Sequence, residues 1–95
     1  MAVIQVTPET LRGKANEVRG HKSTHDDTMA KLKSLIHGLN AEWKGKAQDA
    51  FVAKFDSMQS SFTQFSQMLE DYAKLMDTAA RELEIKDQEL AQTFR

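Results

Sequence analysis

Two long runs of residues spaced alternately three and four apart flank a short segment containing Trp43-Lys44-Gly45. Nothing else in the chain restricts its fold as much. Heptad spacing marks helices that pack lengthwise against a neighbour. The first run is Leu11, Ala15, Val18, Lys22, His25, Met29, Leu32, Ile36 and Leu39. The second is Phe51, Phe55, Met58, Phe62, Phe65, Leu69, Tyr72, Met76, Ala79, Leu83, Lys86 and Leu90. Lys22 and His25 interrupt the first run with polar side chains, so its middle is leaky.

The chain has one proline and four glycines in 95 residues, which favours long uninterrupted helices. Thr7, Pro8 and Glu9 form a helix start: a capping hydroxyl, a ring suited to the first helical position, and an acid at the positive end of the dipole. The expected elements are one helix over about 8–39, a turn over 40–46, and a second helix over about 47–92. The chain is then a single all-α domain, an antiparallel helical hairpin. Gly38 to Asn40 tolerate the left-handed backbone that ends many helices. Trp43 is placed to plug the closed end of the hairpin. Gly45 supplies a backbone conformation, or a close approach, that a Cβ would block.

If the hairpin folds about this turn, Leu11 falls opposite the region from Asp77 to Ala80. The second helix then overhangs the first beyond about Arg81, still carrying Leu83, Ile85, Leu90 and Phe94. An overhang with apolar residues is expected either to fray or to bind a partner.

Several functions are disfavoured. There is no cysteine, hence no disulfide framework, thiolate nucleophile or thiolate zinc cluster. A net charge of −1 with both signs interspersed gives no basic face for nucleic acid, and no basic residues are interleaved with the phenylalanines. No apolar run approaches the roughly 20 residues needed to span a bilayer, and residues 1–6 are too short for a signal-peptide core. His21 and His25 share a helix face but lack a third ligand and an adjacent glutamate. A two-helix hairpin offers no deep pocket for a small-molecule substrate. The reading is a non-enzyme without cofactor or metal.

Two helices bury one seam and leave surplus apolar surface. Met68 and Leu75 lie off the second run, and residues 57–69 contain no charge at all. Depletion of charge marks the centre of an interface. Two hairpins are therefore expected to pair across this stretch into an elongated four-helix bundle, a homodimer or a heterodimer with a similar protein. The candidate interface residues are Met58, Ser61, Phe62, Phe65, Met68 and Leu75.

Length, paired heptads, the central Trp43-Lys44-Gly45, and Ala47 before Phe51 together resemble the WXG family. Its members are similar to the early secreted antigenic target of mycobacteria and leave the cell through the type VII (ESX) secretion system. The resemblance covers the whole chain. It implies a protein secreted without a cleaved signal peptide, acting as an effector or a co-secreted component. An alternative is a cytoplasmic targeting partner that heterodimerises with a larger type VII toxin. The family's C-terminal export signal is often written as tyrosine, three residues, then an acid. Here Asp77 stands one position too far from Tyr72. A broader family pattern fits Leu83, Asp87, Leu90 and Phe94, within a tail over about 82–95. The resemblance implies that the type VII export ATPase reads this tail.

Overall fold

The computed structural model describes residues 6–39, 42 and 44–93, the last five of these by backbone alone. Helix α1 spans Pro8–Gly38, α2 Lys46–Ser57 and α3 Gln59–Thr93. α1 runs antiparallel to α2 and α3, which follow each other along the second limb of a helical hairpin. The molecule measures 76 × 25 × 16 Å, with a radius of gyration of 21.7 Å. A compact chain of this size would have a radius of about 12–13 Å. A rod this thin has little interior. Among the described residues, only Pro8, Ala15, Gln48, Phe55, Ala73 and Ala80 are buried.

α1 starts as its sequence requires. The Thr7 hydroxyl accepts a hydrogen bond from the Thr10 amide at 3.0 Å, and Pro8 occupies the first helical position. The helix ends at Gly38, within the expected stretch from Gly38 to Asn40, though with a different backbone. Leu39 caps it in ordinary right-handed backbone, with φ −60°, and Gly38 remains helical. Asn40 lies outside the described residues.

The second limb is not one helix. It breaks at Met58, and the cause is local. The Ser57 hydroxyl donates to the Lys54 carbonyl at 2.7 Å, the acceptor that the Met58 amide would use in a continuous helix. The Met58 amide turns instead to the Phe55 carbonyl at 3.0 Å. A serine competing with the backbone for a helical carbonyl is a known way to interrupt a helix.

The register also differs from a fold about the turn. Arg12 pairs with Glu84, and Arg19 pairs with Asp77 at 2.8 Å. The first turns of α1 therefore lie near Glu84 rather than Asp77 to Ala80. Ala80 is fully buried and Leu83 half buried, so the overhang begins later than Arg81. Alanines at 15, 73 and 80 let the helices nest closely, and ion pairs lock the alignment.

The largest correction concerns the seam itself. On the second limb the residues turned toward α1 are Gln48, Val52, Phe55, Gln59, Phe62, Ser66, Leu69, Ala73, Met76, Ala80 and Leu83, all buried or half buried. Their spacing alternates four and three throughout. They share the column 55, 62, 69, 76, 83 with the expected seam. The other expected column, Phe51, Met58, Phe65 and Tyr72, is exposed. Phenylalanine is thus core at Phe55 and half buried at Phe62, but not at Phe51 or Phe65. α1 chose the neighbouring column of small and amide side chains because backbones approach more closely over Ala73 and Ala80 than over Tyr72.

Candidate functional site

The two flanks of the hairpin differ in chemistry. One flank is closed by polar ties between α1 and the second limb. Arg12 meets Glu84, Arg19 meets Glu70 at 3.7 Å and Asp77 at 2.8 Å, and His37 Nε2 lies 2.9 Å from Asp56. Between these ties, where Lys22 and His25 interrupt the seam, runs an open groove of about 390 Å³ with Met29 and Phe62 in its wall. Asp26 sits on this groove. Hydrogen bonding from Ser66 of α3, then from Lys22, then with His25 holds its carboxyl down at about 2.

The other flank has an apolar face. Phe51, Met58, Phe65 and Tyr72 form one column along α2 and α3; Ser61, Met68 and Leu75 form the next. On α1, Leu32 and Leu35 add exposed apolar surface. The His25 ring covers the inner edge of Phe65 with centroids 5.1 Å apart, yet Phe65 remains 47% exposed. Met68, Tyr72 and Leu75 line a shallow depression with Asp71 at its rim. The apolar arc of α3 is wider than the roughly 100° stripe that one packed helix face needs. α1 covers one side of it and leaves the column of Phe65 and Tyr72 exposed.

Of the expected interface residues, Met58, Ser61, Phe65, Met68 and Leu75 lie together on this face. Phe62 does not; it packs inside the hairpin, its ring 5.6 Å from Phe55. Tyr72 belongs to the face and was absent from the expected set. The signal that could have found it was Ala73 beside it, a small residue marking the column that a neighbouring helix approaches.

Gly45 caps the start of α2 with φ +136°, a conformation that L side chains rarely adopt. Among the described residues a Cβ there would meet nothing within 4 Å. The glycine is therefore required for its backbone conformation and not for space. Trp43 lies outside the described residues. In the tail, Leu83 is half buried and Asp87 is exposed. Leu90 is helical, and Phe94 lies outside the described residues. Among the described residues no three His, Cys, Asp or Glu side chains come together to hold a metal ion, and no helix is long and apolar enough to cross a membrane.

Known proteins share this geometry. Residues 3–88 match the family described as proteins of 100 residues with WXG. Protein YukE of Bacillus subtilis is 30% identical, over 98% of this chain and 96% of its own. A type VII secretion system extracellular protein A of Staphylococcus aureus is 24% identical, over 99% of this chain and 97% of its own. The crystal structure of Geobacillus thermodenitrificans EsxA superimposes with a TM-score of 0.83 at 30% identity, covering 96% of this chain and 98% of that one.

Proposed function

The chain belongs to the WXG100 family, and we propose that it is a small protein exported by a bacterial type VII secretion system, acting through protein–protein contacts as an effector or co-secreted component. Names of relatives such as type VII secretion system extracellular protein A support the export route. The observation that carries the mode of action is the apolar flank. A rod that seals one side with charge and leaves the other apolar is half of an assembly.

The second half is a second copy. The exposed block from Met58 to Leu75 is symmetric about a point between Ser66 and Gln67. An antiparallel mate centred there sets Phe65 against Met68 of the second copy, Met58 against Leu75, and Ser61 against Tyr72. The last pairing matches the smallest side chain of the block with its largest polar-tipped ring. In the same register Glu82 falls against Phe51 of the second copy and Lys54 against Ala79, at the ends of the block. All six positions are covered, and none faces a charge. The product is the elongated four-helix bundle.

The tail is the export signal in this reading. By spacing, Leu83 and Leu90 continue one column of the α1-facing seam, while Asp87 and Phe94 continue the other. The seam thus runs on past the end of α1, where the export ATPase can take α1's place as a helix-in-groove reader. The test is secretion from a type VII-competent strain. Leu83→Ala with Asp87→Ala should leave the chain folded and paired in the cell but reduce the amount outside it. Unchanged secretion would remove the tail from the reading. Equal secretion from a strain lacking the export ATPase would remove the route.

A further inference from the structure

The four described methionines divide into two pairs. Met29 and Met76 are half buried between α1 and α3. Met58 and Met68 stand on the apolar flank, 40% and 41% exposed in the single chain. The chain has no cysteine to consume an oxidant first. We propose that Met58 and Met68 are oxidation sites through which a peroxide-class oxidant separates the paired chains; this rests on the self-pairing argued above.

The chemistry is a two-electron oxygen transfer. The thioether sulfur attacks one peroxide oxygen, the O–O bond breaks and an S–O bond forms. Sulfur gives up two electrons, and the other oxygen leaves as water after taking the transferred proton. An apolar, flexible side chain becomes a polar sulfoxide. A buried sulfoxide needs a hydrogen-bond donor or carries a desolvation cost. The two layers that hold the sulfurs provide none, since Met68 faces Phe65 and Met58 faces Leu75, and the donors of the block, Ser61 and Tyr72, face each other. The favourable contact between the Met68 sulfur and the phenylalanine ring is lost as well. By symmetry each pair of chains carries four such sites, two near its centre at Met68 and two at the ends of the apolar block at Met58.

The single chain is indifferent to the same change. Both side chains reach solvent there, and neither belongs to the α1-facing seam. Oxidation therefore acts on the assembly and not on the fold. Pairing also covers the sulfurs, so the reaction runs through separated chains and slows as protein concentration rises.

The experiment treats the full chain with hydrogen peroxide, maps added oxygen by peptide mass, and follows assembly by sedimentation equilibrium and helicity by circular dichroism. Met58 and Met68 should gain oxygen ahead of Met29 and Met76. The sedimenting mass should fall to that of one chain with helicity kept, and methionine sulfoxide reductase should restore the pair. A Met58→Leu, Met68→Leu variant should stay paired through the same treatment. A chain oxidised at both sites that remains paired overturns the inference, as does a leucine variant that separates as readily as the wild type. An untreated chain that is single at every concentration overturns the self-pairing, and the inference with it.

Discussion

Leu75 offers a clean test of the apolar flank, because it contributes little to the hairpin that bears it. It is 64% exposed in the single chain. Full burial of a leucine side chain is worth about 1.5–3 kcal/mol, so roughly 1–2 kcal/mol remains available to a partner. A two-fold pair contains the residue twice, which doubles the effect to about 2–4 kcal/mol. Alanine keeps one carbon of the side chain, so Leu75→Ala should cost about 2–3 kcal/mol of pairing, raising Kd by about 30- to 150-fold. Sedimentation equilibrium over a concentration series measures that shift. Urea unfolding at concentrations where chains are separate measures the hairpin, which should lose less than about 1 kcal/mol. A Kd shift below about threefold, or a larger loss from the hairpin than from the pair, would refute the reasoning. The register is tested by the double variant with Met58→Ala. Residues in contact couple by about 0.5 kcal/mol or more, and separated ones add. Strict additivity would leave pairing intact but move its centre away from Ser66 and Gln67.

Three further outcomes concern the hairpin. Gln48 is 1% exposed and its Nε2 finds no hydrogen-bond partner among the described residues; an unmet buried donor costs about 1–3 kcal/mol, so Gln48→Met should raise stability by about 1–2 kcal/mol in urea unfolding. Gly45→Ala should lower it by about 1–3 kcal/mol through backbone strain, since no described residue crowds the site. Asp26 is held at about 2, below its ordinary 3.8. A depressed carboxyl stabilises the fold above its unfolded value and loses that contribution as pH falls toward its folded value. The wild type should therefore lose more stability between pH 4 and pH 2 than Asp26→Asn, and parallel curves would rule out the depression of this carboxyl.

Much of this fold is legible in the residue spacing. The hairpin, the start of α1 at Thr7 and Pro8, and the turn glycine all follow from local chemistry. What spacing could not choose was which column of the second limb meets α1. Columns 55, 62, 69 and 51, 58, 65, 72 give one four-three pattern; columns 55, 62, 69 and 52, 59, 66, 73 give another. Hydrophobicity favours the first, since it holds Phe51, Phe65 and Tyr72. Close packing favours the second, since Ala73 and Ala80 admit a neighbouring backbone, and Arg19 then reaches Glu70 and Asp77. The break at Met58 was hidden for a similar reason. A serine in a helix is usually innocuous, and only the geometry at Ser57 shows its hydroxyl taking the Lys54 carbonyl.

That choice of column explains why the molecule keeps its largest apolar side chains exposed, as the proposed pairing requires. Had α1 covered the aromatic column, the hairpin would have buried its best apolar side chains and left Gln59, Ser66 and Ala73 to solvent. Such a rod would be self-sufficient and inert. Instead the small column is spent within the chain and the large one is kept outside it. Phe65 shows the compromise at a single residue: His25 covers one edge of the ring, and the remaining 47% faces outward. The polar interruption of the α1 seam at His25 has a purpose on this view. An imidazole there can lie against the ring without enclosing it, where a leucine would draw Phe65 into the seam. His25→Leu should accordingly strengthen the hairpin and weaken pairing, a split that urea unfolding and sedimentation resolve. If both quantities rise together, the histidine is merely a poor seam residue and its place beside Phe65 has no bearing on assembly.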